Sequence, residues 1–123
     1  MCKILLSINP EHVENIFNGK KKYEYRKVQC TRKVDGILIY STAPVKQVVG
    51  EAKVEMILKD KPEKIWEQTK KKSGISKKFF KQYYENSLFA VAYKLYDVIK
   101  YDQPKSLSDY GISTVPQSFQ YLT

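Results

Sequence analysis

The sequence predicts an α+β domain with at least five strands and three helices, in the order β-α-β-β-β-α-α-β-β. Three observations carry that expectation. Residues 47–58 and 88–101 alternate apolar and polar side chains with the period of two that a strand requires. Residues 10–18 and 62–84 carry apolar residues at helical spacing, bracketed by cap and breaker residues. No linker, internal repeat or low-complexity block divides the 123 residues, so residues 1–123 are expected to form one domain with a single sizeable core.

Along the chain, Ile4, Leu5, Leu6 and Ile8 suit a buried strand over residues 3–8. Asn9 then caps a helix whose first position is Pro10; Val13, Ile16 and Phe17 form its apolar stripe, and Gly19 stands where a left-handed terminator belongs. His12 lies off that stripe and is expected to face solvent or to be hydrogen-bonded locally rather than to be catalytic. Residues 20–28 predict a strand in which Tyr23 and Tyr25 point one way while Lys22, Glu24 and Arg26 point the other. Asp35-Gly36 marks a connection into a strand over residues 37–41, which Pro44 ends.

In the stretch 47–58, Val48, Gly50, Ala52, Val54, Met56 and Leu58 share one face, and Gly50 signals a bulge or a close approach. Pro62 starts a helix that turns Ile65, Trp66 and Thr69 inward and stops at Gly74. Ser76 caps the next, where Phe79, Phe80, Tyr83 and Tyr84 form an aromatic stripe expected in the core. Phe89, Val91, Tyr93 and Leu95 then alternate with Ala90, Ala92 and Lys94, and a polar loop leads to the C-terminal residues 115–119.

Composition narrows the function. The 22 Lys and Arg against 13 Asp and Glu give a net charge of +9, which favours nucleic acid, acidic proteins or anionic surfaces as partners. The 15 Tyr and Phe and one Trp add stacking surfaces that cations alone would not supply. Lys70, Lys71, Lys72, Lys77, Lys78 and Lys81 surround the helical pair, as a solvated face or as a phosphate-contacting patch. No apolar run approaches the ~20 residues of a membrane helix, so a cytoplasmic protein without a membrane partner is expected. Cys2, Cys30 and the single His12 have no metal-ligand spacing; neither a metal nor a cofactor is expected.

The most informative segment is Gly19-Lys20-Lys21-Lys22-Tyr23-Glu24-Tyr25-Arg26, which sets Gly, Lys, Glu and Arg in the order G-x-K-x-x-E-x-R. A carboxylate flanked by cations is costly to bury unpaired, so this face belongs beside solvent, a partner charge or a ligand. Lys21 is out of phase with Glu24 and can join it only through a turn or bulge, which Gly19 makes available. A concave polar surface shared by Glu24, Arg26 and Ser41 or Thr42 is expected.

This signature resembles that of the ASCH domain family. Residues Ile4–Pro10 with the helix up to Gly19, Tyr40–Val45 followed by Val48–Gly50, and Pro116-Gln117-Ser118-Phe119 resemble the family in the same order, so the resemblance covers nearly the whole chain. It implies a PUA-like small mixed β-barrel with about three flanking helices. It also implies that Ser41, Thr42, Gln117 and Ser118 line one cleft with Lys21, Glu24 and Arg26. Some members are amidohydrolases acting on N4-acetylcytidine; they keep the signature Lys but carry a Thr nucleophile where this chain has Glu24, and they need a further Glu, for which Glu51 is the nearest candidate. Other members are ribonucleases, and here no histidine pair is available for such chemistry.

The leading expectation is a protein that binds RNA or a nucleotide through Lys21, Glu24, Arg26, Ser41, Thr42, Gln117 and Ser118. A hydrolase of a modified nucleoside or RNA, with Lys21 and Glu24 as its catalytic candidates, is the alternative. A regulatory protein-binding module is the third reading, and oligomeric state is left open.

Overall fold

The structure is a computed structural model and describes residues 2–116 and 119–122. Strand β1 (Lys3–Ile8) pairs in parallel with β3 (Gly36–Ser41) and antiparallel with β6 (Gln120–Leu122). A parallel pair needs a long crossover, and here it contains helix α1 (Pro10–Phe17) and strand β2 (Tyr23–Arg26). Strands β4 (Gln47–Asp60) and β5 (Ala90–Lys105) form a long antiparallel ribbon, with helices α2 (Pro62–Thr69) and α3 (Lys77–Tyr83) inserted between them. The sheet order is β2-β5-β4-β3-β1-β6. Among the described residues, β2 and β6 are therefore edges, and backbone pairing leaves the sheet open where a small barrel is expected. The sheet curls nonetheless: Nη2 of Arg26, on β2, donates to the carbonyl of Ser7, on β1, at 2.7 Å.

Three buried clusters hold this sheet, the smallest formed by Leu5, Leu38, Tyr40, Val48 and Ile112. On one face, Ile4, Leu6, Ile37, Ile39, Val91 and Tyr93 pack with Val13 and Ile16 of α1, the apolar stripe of that helix. On the other, Tyr25, Ala90 and Ala92 pack with Ile65 of α2 and with Phe80 and Tyr84 from the α3 segment. The first residues of β5, Ala90 to Tyr93, are thus buried on both faces, and the small side chains of Ala90 and Ala92 let the helices approach the sheet closely. Tyr84 secures this layer by donating to the carbonyls of Arg26 and Val91.

Three details depart from the sequence expectations. Strand β2 has four residues because the N–H groups of Lys21 and Lys22 donate elsewhere, to the carbonyls of Asn15 and Lys72. The single face expected for 47–58 does not persist, because register shifts against β5 interrupt it; after the last, Met56 is 46% exposed while Ile57 packs on the first core. Phe89 lies just before β5 and is exposed, with the Lys59 ammonium 5.3 Å from its ring centre. Gly50 behaves as expected: the Ile99 carbonyl and the Phe17 ring occupy the space a Cβ would need.

Candidate functional site

Asn9 accepts from the N–H of Glu11 and starts α1, which carries His12 and Asn15 towards the signature segment. After the helix, Gly19 takes φ of +83°, and the chain reverses so that the Lys21 N–H reaches the Asn15 carbonyl at 2.9 Å. That turn brings Lys21 into the site despite its phase. The loop after α2 closes over it: Gly74, at φ +68°, packs directly on the Cα and Cβ of Lys21, where no Cβ of its own would fit. The Lys21 ammonium donates to the Ser73 carbonyl at 3.2 Å, lies 4.6 Å from the centre of the Tyr25 ring and 3.9 Å from Oε1 of Glu24.

Glu24 joins two cations. Its Oε2 is 3.2 Å from Nε of Arg26, whose N–H is not aligned for a hydrogen bond. Lys21 is 3% exposed and Glu24 6%, so one carboxylate serves two largely buried cations. Burial is the main force lowering the Lys21 pKa; Glu24 opposes it and the Arg26 charge adds to it. Tyr25 is fixed below by donating to Thr69 Oγ1 at 2.7 Å, and burial pushes its phenol up to about 12. An ammonium that loses its proton more readily than usual, beside a carboxylate and a guanidinium, can bind an anion or act as a base or nucleophile.

These groups form the floor of an open cleft of about 270 Å³, bounded by Ser7, His12, Phe79 and Tyr83. The aromatic stripe of α3 is therefore divided: Phe80 and Tyr84 enter the core, whereas Phe79 and Tyr83 wall the cleft. His12 is also at the cleft, contrary to the solvent-facing expectation. It is half-buried, its ring meets Phe79 edge-on with centres 5.3 Å apart, and its Nδ1 is buried without a hydrogen-bond partner. Burial first, and the Lys21 charge second, lower its pKa, while Glu24 and Glu11 pull the other way. The available signal was that His12 precedes Ile16 by one turn and so borders the buried stripe.

The structure brings Lys21, Glu24 and Arg26 together and leaves other expected site residues out. Ser41 is buried at the end of β3, paired with Ile8 and Gln47, and does not line the cleft. Thr42 is used in a turn, donating its N–H to Ile8 and accepting from Val45, and does not line it either. Gln117 and Ser118 lie outside the described residues; the neighbouring Pro116 carbonyl accepts from Ser7 Oγ at 3.1 Å. Glu51 lines a separate cavity with Lys3 and Tyr101, so it is no partner for Lys21. Among the described residues, no group of three His, Cys, Asp or Glu could hold a metal, and no helix is long and apolar enough to cross a membrane.

Comparison with known proteins bears on the family and the fold. The family model described as "Domain of unknown function (DUF365)" matches residues 2–122. The large ribosomal subunit protein uL22 of Ureaplasma parvum is 36% identical over 120 residues, which are 97% of this chain and 39% of that protein. An ASCH domain-containing ribonuclease of Zymomonas mobilis is 31% identical over 94 residues, 76% of this chain and 64% of that protein. The chain thus spans less than two thirds of either relative. The crystal structure of ASCH from Zymomonas mobilis superposes with a TM-score of 0.89 at 28% identity, covering 98% of this chain and 87% of that one. The chain belongs to the family described as Domain of unknown function (DUF365), and its fold is that of an ASCH domain.

Proposed function

We propose that the cleft between α1, β2 and α3 binds single-stranded RNA or a nucleotide derived from it. The observation that carries this reading is the floor of the cleft, where the buried Lys21 and the largely buried Arg26 share a single carboxylate beneath the aromatic walls of Phe79 and Tyr83. An anion entering the cleft would supply the charge that Glu24 alone leaves unmatched. The N–H groups of Arg26 not used on Ser7 suit a phosphate or a base edge, Glu24 can accept from an exocyclic amine, and Phe79 and Tyr83 offer ring faces for a base. The relative named as an ASCH domain-containing ribonuclease supports a nucleic-acid ligand.

The test is fluorescence anisotropy with labelled single-stranded RNA across a salt series. Affinity should fall steeply with salt as counterions are released. Arg26→Ala should weaken binding by roughly 10- to 150-fold, the scale of a charged hydrogen bond lost from a desolvated site. Lys78→Ala, on the exposed face of α3, should cost less than about fivefold. An Arg26→Ala protein that binds like the parent, while lysine variants of the helices do not, would move the RNA site to the helical face.

A second reading, hydrolysis of RNA or of a modified nucleoside, is favoured by the lowered Lys21 pKa beside Glu24 and by the ribonuclease relative. Lys21→Met would then abolish turnover of labelled RNA while leaving binding within about tenfold of the parent.

A further inference from the structure

A second cavity, of about 600 Å³, opens beside the first and shares Glu11, His12, Ile75 and Phe79 with it. Its remaining wall includes Asn15, Lys20, Lys70 and Ser76. We propose that this second cavity is a further nucleotide subsite, so that the ligand of the cleft is an oligonucleotide of at least two residues. This rests on the nucleic-acid reading of the first cavity and states what kind of nucleic acid fits.

Three features support the assignment. The first cavity alone, at about 270 Å³, is below the roughly 300–1,000 Å³ of ordinary small-ligand pockets, and the adjoining volume shares four lining residues with it. Among the shared residues is Phe79, whose ring meets His12 edge-on and is left 43% exposed, a large apolar surface that lines both cavities. A base stacked on that ring would cover it, and the strand would pass from one cavity to the other across it.

The charge also changes along this path. The first cavity has fixed, buried cations that suit one well-placed group. The second has exposed Lys20 and Lys70, which suit the mobile, solvated phosphates of a continuing strand. Lys70 is paired with Glu67 at 2.8 Å, but an exposed pair of this kind yields readily to a phosphate.

The experiment is competition against labelled single-stranded RNA by 5′-phosphorylated, 2′-O-methylated oligonucleotides of one, two and three residues, in each of the four homopolymer series. At least one series should gain about tenfold in affinity between one residue and two, the scale of one stacked base. In the double variant Lys20→Ala and Lys70→Ala, the ratio of those affinities should fall to within about threefold. The double variant Lys71→Ala and Lys78→Ala removes the same charge outside both cavities and should keep the parent's ratio. The proposal is overturned if no series shows the gain, if the gain survives loss of Lys20 and Lys70, or if both double variants lose it alike. Should RNA still bind in an Arg26-dependent way while the gain is missing, only the second subsite falls. Should no RNA bind at all, the underlying reading falls with it.

Discussion

Lys21, Glu24 and Tyr25 at the cleft have a counterpart in Lys3, Glu51 and Tyr101, which use the same residue types beside another cavity. In the second cluster the ion pair is open to water: Lys3 and Glu51 are 3.6 Å apart with side chains 38% and 31% exposed. Tyr101 donates to Glu51 at 2.8 Å, and the Lys105 ammonium lies 5.5 Å from the Tyr101 ring centre and 5.9 Å from that of Tyr110. Each charged group there has a partner, and solvent supplies the rest. At the cleft, by contrast, two cations share one carboxylate, Nε of Arg26 lacks an aligned acceptor, and Nδ1 of His12 has no partner. A Lys, a Glu and a Tyr are common to the two clusters; burial and unmet hydrogen-bonding capacity separate them.

Neutralising the carboxylate in each cluster should expose that difference most strongly. Glu24→Gln leaves Lys21 and Arg26 buried without a counter-charge and should destabilise the fold by about 3–5 kcal/mol, the usual cost of breaking a buried pair. Glu51→Gln leaves a lysine that water can solvate and should cost at most about 1 kcal/mol. Urea denaturation of both variants measures this directly, and equal losses would mean that the cleft ion pairs are no more demanding than surface ones.

Much of this was legible because it depends on local rules. The α1 boundaries follow from Asn9, Pro10 and Gly19, and the inward face of Val91, Tyr93 and Leu95 follows from the alternation of β5. The convergence of Lys21 with Glu24 was legible as a requirement for a turn, and φ of +83° at Gly19 meets it. What was not legible depends on partners distant in sequence. The phase of β4 changes where it shifts register against β5, forty residues away, and no period within residues 47–58 reports that. Phe79 and Tyr83 look like core because they continue the stripe of Phe80 and Tyr84. Only the docking angle of α3 decides which pair is covered. Ser41 and Thr42 were expected beside Glu24 without knowledge of the partners that hold the end of β3, where Thr42 donates its N–H to Ile8 and accepts from Val45.

Exposed aromatics offer a second comparison, with a smaller expected effect. Phe79 and Phe89 are exposed to similar degrees, 43% and 49%, but Phe79 borders both cavities while Phe89 lies beside Lys59 and lines neither. Phe79→Ala should weaken RNA binding by about 1–3 kcal/mol, the range for one base–aromatic stack. Phe89→Ala should leave the dissociation constant within about twofold of the parent. Equal effects would remove the stacking role from Phe79 and leave only general exposure.

The smallest expected effect is the most specific to the cleft, because the Lys3–Glu51–Tyr101 cluster has no counterpart to His12. The ring is packed against Phe79 of α3 and feels Glu11 of its own helix together with Lys21 and Glu24. Burial and the Lys21 charge lower its pKa, so in the free protein it is neutral at pH 7 and gains a proton only below the usual histidine range of about 6.5. A phosphate bound nearby favours the protonated ring, so the bound state takes up protons at higher pH than the free state does. Linkage then fixes the sign: affinity should rise as pH falls below about 6.5, by roughly two- to fivefold by pH 5.5. RNA without a terminal phosphate should be used, since that group titrates in the same range. His12 is the chain's only histidine, and His12→Gln should flatten this dependence. A parent protein whose affinity stays level or falls over that interval would show that the imidazole meets no ligand phosphate.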